Sequence, residues 1–235
     1  GMLLSGGSNR NNEVNFYPYL ETIQKLKENF PGLIIACHTG LVNEEQALSL
    51  QQAKIDCAMI DIIGSQDTIT QVYHLRRQVE DFERALCALN KTNMFVIPHI
   101  VLGLHYGKLL GEWHALEIIE RQQPDALVLV VAMPHFATGK RSFVTLPSRI
   151  VGRFFLQARQ SLINIPLLLG CARPAGKAKM EIDTYAVCTG LDGIAYPADG
   201  IVTLAKSMGR SVDVHYSCCS VIPDMIENTR SLNTG

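Results

Sequence analysis

Several features that announce function in other proteins are missing from this chain, and each absence narrows what it does. No run approaches the ~18 consecutive apolar residues of a bilayer-spanning helix, so no membrane role is expected. Charge of one sign is scarce: 21 Lys and Arg against 22 Asp and Glu, interspersed, leave a net charge of -1. That balance offers no basic stripe to nucleic acid. Local metal signatures are lacking as well. There is no C-x-x-C, no C-x-x-x-C-x-x-C, no H-x-H and no H-E-x-x-H, which removes the common frameworks for a zinc ribbon, an iron-sulfur cluster or a paired-histidine site. The seven cysteines are odd in number and scattered. With no secretion signal recognisable, they point to a reducing, cytoplasmic compartment. Cys37, Cys57, Cys87 and Cys188 sit among apolar neighbours and read as small buried hydrophobes.

What is present is the material of one buried α/β core: 235 residues, 47% hydrophobic and 18% charged. A single partial-barrel domain is expected over residues 1–235, with 212–235 as a C-terminal extension that alternates before Cys218 and Cys219. Apolar runs recur at MLLSGG (from residue 2), LIIACHTG (33), CAMIDIIG (57), MFVIPHIVLG (94), ALVLVVAMP (126), PLLLGCARP (166) and GIAYP (193). They lack polar alternation, as parallel strands covered on both faces do. Helical periodicity separates them: Leu20, Ile23, Leu26 and Phe30 mark one stripe, and Val79, Phe82, Leu86 and Leu89 another. Asn43 and Gln46 form a capping-box pair between these two stripes.

Repeated βα units whose strands end in Gly, Pro, His or Asp predict an incomplete TIM-type barrel of about seven parallel strands with its site on the C-terminal rim. A doubly wound open sheet is the alternative, disfavoured because polar endings follow nearly every run instead of gathering at one switch point. Gly1 reads as a residue left by tag removal, and the barrel's first βα unit is expected to be missing ahead of Met2. The strands at Met2 and Gly193 would then flank an open seam, covered by the 212–220 segment or by a neighbouring subunit. Candidate rim groups are Ser5, Gly6, Gly7, His38, Thr39, Asp61, His99, His105, Tyr106, Met133, His135, Cys171, Arg173 and Tyr196. The long connection from Pro134 to Ser148, with His135, Gly139, Lys140 and Arg141, is either a lid or a solvated loop.

Each candidate has a plain alternative. Gly6 and Gly7 allow close main-chain approach by a ligand or simply turn the chain. Asp61 accepts hydrogen bonds from a ligand or sits in a buried salt bridge. Arg173 suits a substrate carboxylate, or pairs with Glu181 or Asp183 on the following helix. A metal-dependent hydrolase or lyase built from His38, Asp61, His99 and His105 is a third class of reading, which needs ligands from distant segments. No residue is assigned to a metal on this basis, and Cys171, Cys218 and Cys219 receive no role.

The order of Leu4-Ser5-Gly6-Gly7, Cys37-His38-Thr39-Gly40, Pro98-His99-Ile100, Gly103-Leu104-His105-Tyr106-Gly107, Gly170-Cys171-Ala172-Arg173-Pro174 and Gly193-Ile194-Ala195-Tyr196-Pro197 resembles the radical S-adenosylmethionine superfamily. Within it the chain is most similar to the second component of two-protein archaeal-type lipoyl synthases, from Leu3 to about Cys219. The resemblance implies that Ser5, Gly6 and Gly7 receive the methionine moiety of S-adenosylmethionine. It implies that Asp61 meets the ligand's amine or ribose, and that Ile100 through Gly107, with Gly103 and Gly107, approach adenine. His38, His105, Tyr106, Arg173 and Tyr196 become the substrate-binding set, and the complete reaction is sulfur insertion or other C–H functionalisation of an acyl substrate. A companion radical enzyme subunit or a second copy of the chain is the implied partner; a non-enzymatic binding or partner subunit is the alternative. The departure is in the chemistry: full-length members hold a 4Fe-4S cluster on a three-cysteine loop after the first strand, and that motif does not occur here. The chain by itself is therefore expected to bind S-adenosylmethionine weakly and to generate no radical.

Overall fold

The computed structural model describes residues 1–133 and 143–216. His135, Gly139, Lys140, Arg141, Cys218 and Cys219 lie outside the described residues. Seven strands form one parallel sheet in chain order: β1 Met2–Leu4, β2 Ile35–His38, β3 Cys57–Asp61, β4 Phe95–Leu102, β5 Leu127–Val131, β6 Leu167–Leu169 and β7 Gly193–Ile194. Neighbours in sequence are neighbours in space throughout, with no reversal of strand order. A doubly wound sheet requires such a reversal. The sheet is an incomplete TIM-type barrel, a curled half-barrel with helices outside, and β1 and β7 each pair with a single strand.

Eight described α-helices follow the strands: α1 Leu20–Asn29, α2 Glu44–Gln52, α3 Gln66–Gln71, α4 Val79–Asn90, α5 Glu112–Gln122, α6 Ser148–Ser161, α7 Lys177–Thr189 and α8 Ile201–Ser207. None of the described helices is long and apolar enough to cross a membrane. Local chemistry sets their ends. The Asn43 side chain accepts from the Gln46 amide while the Gln46 side chain accepts from the Asn43 amide, closing the capping box of α2. In α4, Phe82, Leu86 and Leu89 are fully buried, as their spacing predicts. Phe30 departs from its predicted stripe: α1 stops at Asn29, and Phe30 becomes a 59% exposed C-terminal cap residue.

Because side chains alternate across a strand, each β-segment serves two layers. Ile35, Cys37, Ala58, Ile60, Val96, Ile100, Leu127, Leu129, Leu167 and Leu169 face the helices and join the main core. Ala36, Cys57, Met59, Ile97, Val128, Val130 and Leu168 form a second apolar layer, which fills the lumen. Inward positions beyond that layer therefore lie at the C-terminal rim.

The opposite rim is tied by a repeated device. Asp56, Asp125 and Asp192 each precede a strand and accept from an amide at the start of the strand before it, from Ile35 at 2.8 Å, Val96 at 2.7 Å and Leu167 at 2.8 Å. Lys27 on α1 completes the first of these with a buried ion pair to Asp56 at 2.8 Å. These contacts serve the stability face of the barrel, away from the chemistry. At the seam, Val212 packs with Ile194 of β7 against α8, and residues 211–216 run without strand pairing.

Candidate functional site

The parity of the strands carries the site. In β2 the lumen-facing series is Ala36 then His38; in β3 it is Cys57, Met59, Asp61; in β4 it is Ile97 then His99. Asp61 lies directly opposite His99 in the β3–β4 ladder, and His38 ends β2 beside Met59. Three consecutive strands thus deliver an imidazole, a carboxylate and an imidazole to one level, just above the apolar layer. Their ligand atoms all lie within 4.8 Å of one another, and the His38 and His99 rings stand 5.6 Å apart and tilted by 50°. The His38 and Asp61 side chains keep about a third of their surface, at 31% and 30%, while His99 is buried. The group is open from the rim.

Electrostatics differ sharply among the three. Burial works against a charged His38, but the Asp61 carboxylate outweighs it and holds the imidazole above its ordinary value. Burial alone would raise Asp61, yet the neighbouring His38 imidazole, with a smaller contribution from His99, holds it below the usual carboxylate range. His99 is pushed down to about 4, chiefly by burial, with the Asp61 charge opposing. The cluster thus carries one anion, one imidazole biased toward the cation and one neutral imidazole. Tyr73, in the α3–α4 connection, lies close enough for burial and then the Asp61 charge to raise its phenol.

The β1 rim lies alongside. Ser5, Gly6 and Gly7 are exposed, and a Cβ built on Gly7 would meet nothing within 4 Å. The loop after them folds over β2 through a Glu13–Gly40 bridge and a bond from the Leu41 amide to the Asn12 carbonyl at 2.7 Å. Above β4, the buried Glu112 carboxylate accepts from the amides of Gly103 at 2.8 Å, Leu110 at 2.7 Å and Gly111 at 3.0 Å, and so fixes the ends of the Gly103–Gly111 loop. Gly107 has φ of +84°, and a Cβ there would come within 1.9 Å of the Val144 carbonyl oxygen. Its glycine character is demanded by chain packing. Gly103, at φ of +80°, likewise packs against Leu146.

The other expected substrate groups do not join the lumen trio. His105 Nδ1 lies 3.2 Å from the Thr68 hydroxyl, and the Tyr106 hydroxyl donates to the Gln71 carbonyl at 2.9 Å, so both are turned onto α3. Tyr196 stands 77% exposed past β7. Arg173 is a correction to the anion-binding expectation: it is 4% exposed, and its guanidinium donates to both Asp183 oxygens, at 2.6 and 3.1 Å. The carbonyls of Gly170, Ala195 and Tyr196 take its remaining contacts at 2.7, 2.7 and 3.0 Å. The pairing with α7 that the sequence held as the alternative is the one found.

A 4Fe-4S cluster does not fit the described cysteines. Cys37 and Cys57 are fully buried in β2 and β3, on opposite faces of the sheet, and burial pushes the Cys37 thiol up to about 12. Cys171 and Cys188 are exposed, after β6 and on α7. No described group of three ligands contains a cysteine. An open surface groove lined by Leu146, Arg149, Met180 and Tyr185 lies between α6 and α7, outside the lumen.

Sequence reasoning grouped His38, Asp61 and His99 with His105 only in its third, metal-dependent reading; the structure brings the first three together without His105, and sequence reasoning missed Glu112 and Tyr73. The readable signal was parity: each of the trio is the first polar residue on the inward register of three successive strands.

Neither a protein-family model nor a curated protein sequence matches the chain. Solved structures do. Methylornithine synthase (PylB) is 13% identical with a TM-score of 0.53, over 84% of this chain and 64% of that one. HydG, a maturase of the FeFe hydrogenase, is 11% identical with a TM-score of 0.54, over 74% and 41%. The HMG-CoA lyase from Brucella melitensis is 12% identical with a TM-score of 0.56, over 94% and 83%. At these identities the likeness is one of fold. The chain spans under two thirds of the length of the first two.

Proposed function

We infer that the chain is the cofactor- and substrate-holding part of a radical S-adenosylmethionine-type barrel. In its complete form the reaction is sulfur insertion or another C–H functionalisation of an acyl substrate, lipoyl-synthase-like in class. The supporting observation is that Ser5–Gly7 and Asp61 end strands of one continuous parallel ladder from β1 to β4 and leave open main chain and a carboxylate on the same rim. Methylornithine synthase and HydG, two of the similar folds, are radical S-adenosylmethionine enzymes. The residues of this chain would bind and orient: main-chain groups at Ser5, Gly6 and Gly7 for the methionine end, Asp61 for ribose or amine, and the Glu112-anchored loop beside the base. Gly103 and Gly107 shape that loop. Redox cleavage of the cofactor is the chemistry that a cluster supplies when bound. No cysteine set described here holds one, so a companion subunit or further sequence is the source this reading requires.

The test is calorimetric titration of chelator-treated protein with S-adenosylmethionine. Weak one-to-one binding is expected, reduced about tenfold in Asp61→Asn through loss of a charge-assisted hydrogen bond. Gly7→Val should weaken it comparably by covering the main chain, with no effect on folding. Absence of binding, or binding indifferent to both substitutions, contradicts the reading. Anaerobic incubation with iron and sulfide is expected to give no 4Fe-4S absorbance or spin-resonance signature, and incubation with reductant no 5′-deoxyadenosine. Either signal would show that the chain completes the chemistry alone.

A further inference from the structure

The lumen trio has a geometry that cofactor binding does not use. His38 Nε2 and Asp61 Oδ1 are 3.5 Å apart, longer than a well-formed N–H···O bond of about 2.7–3.2 Å. For two ligands on one ion, each at about 2.0–2.2 Å, the expected separation is about 3 to 3.5 Å. The third ligand atom, on His99, completes a set within 4.8 Å, so a contraction of about 1 Å encloses an ion. The ligands come one each from β2, β3 and β4, and the parallel ladder fixes their spacing before any ion arrives. Strand placement of this kind supplies the rigidity that a metal site needs.

We propose that His38, Asp61 and His99 form a mononuclear site for a first-row divalent transition metal on the lumen wall. Two imidazoles with one carboxylate suit zinc, iron or cobalt and do not suit magnesium or calcium, which take oxygen ligands. Three protein ligands on adjacent strands occupy one side of the ion. The positions facing the rim, where His38 and Asp61 keep 31% and 30% of their side-chain surface, are left to water or to an oxygen donor of a small substrate. The same exposure provides the entry path. His105 is not a ligand, since it is held against Thr68 on α3. The site shares Asp61 with the cofactor reading but does not rest on it: failure to bind S-adenosylmethionine would leave this proposal standing, and the reverse also holds.

The experiment is titration of the chelator-treated full chain with Co2+, followed by its visible absorption, and with Zn2+, followed by metal analysis after gel filtration. One ion per chain is expected, with a cobalt spectrum of nitrogen and oxygen ligation and no displacement by excess Mg2+. His38→Gln, Asp61→Asn and His99→Gln should each weaken affinity at least tenfold, and His74→Gln, an exposed histidine outside the trio, should not change it. Circular dichroism in chelator separates ligand loss from misfolding. If buried His99→Gln does not fold, the half-open His38 and Asp61 variants decide the matter. Substoichiometric binding, unchanged affinity in His38→Gln and Asp61→Asn, or equal competition by Mg2+ would overturn the proposal.

Discussion

The two halves of the barrel rim treat charge in opposite ways. Over β6 and β7, Arg173 and Asp183 have side chains 1% and 0% exposed. The Ala198 amide also donates to Asp183, at 2.8 Å. Over β2 to β4, His38 and Asp61 are half-open, spaced beyond good hydrogen-bonding distance, and joined by a third titratable group. Buried charge whose partners are complete holds the fold together. Charge gathered at one level with an open side is available to a ligand. On the proposed function, the β2–β4 half is where a ligand binds and the β6–β7 half is its frame.

The largest contrast is expected in stability. Arg173→Ala leaves Asp183 buried without its partner and should cost about 3–5 kcal/mol, read from urea denaturation. His38→Gln, at a half-open position, should cost under about 1 kcal/mol. Comparable losses at both positions would erase the distinction between the two halves.

A pH series sharpens it next. His99 has its folded-state value depressed to about 4 from 6.5, so the unfolded chain takes up a proton first as pH falls. Stability of the chelator-treated protein should decline from about pH 6.5 to about pH 4, by ~3 kcal/mol at most from this group, and His99→Gln should flatten the decline. His38 acts with the opposite sign. Its raised folded value gives stability that is full below 6.5 and lost as pH rises through the folded value. Asp61, held low, contributes above its unfolded value of 3.8 and loses that contribution as pH falls through its folded value. A pH profile identical in wild type and His99→Gln would contradict the neutral assignment of His99.

The smallest expected effects separate the glycines. Gly107→Ala puts a Cβ at positive φ against the Val144 carbonyl and should lower stability by about 1–2 kcal/mol. Gly7→Val should stay within ~0.5 kcal/mol, since a Cβ at this exposed position meets nothing within 4 Å. Thermal midpoints of the two variants check this directly.

The strands were readable because parallel strands buried on both faces must be apolar nearly throughout. MFVIPHIVLG and ALVLVVAMP each contain the strand found, β4 and β5. The capping box of α2 was readable because both partners lie within four residues. Meetings between segments were not. Arg173 read first as an anion-binding group, with a salt bridge to the following helix as the alternative, until the position of Asp183, ten residues on, became known. Gly107 resembled a ligand-approach glycine, while its actual constraint comes from Val144, far along the chain. The level shared by His38, Asp61 and His99 depends on strand register, which single-strand patterns do not contain.

Amide chemical-shift mapping of the isotope-labelled, chelator-treated chain with S-adenosylmethionine tests the division of the rim most directly. Shifts confined to Ser5, Gly6, Gly7, His38, Thr39, Asp61 and the Gly103–Gly107 loop, with Cys171, Ala172, Arg173 and Tyr196 unmoved, are the predicted result. Shifts centred on the β6–β7 half, or none at saturating ligand, would contradict it.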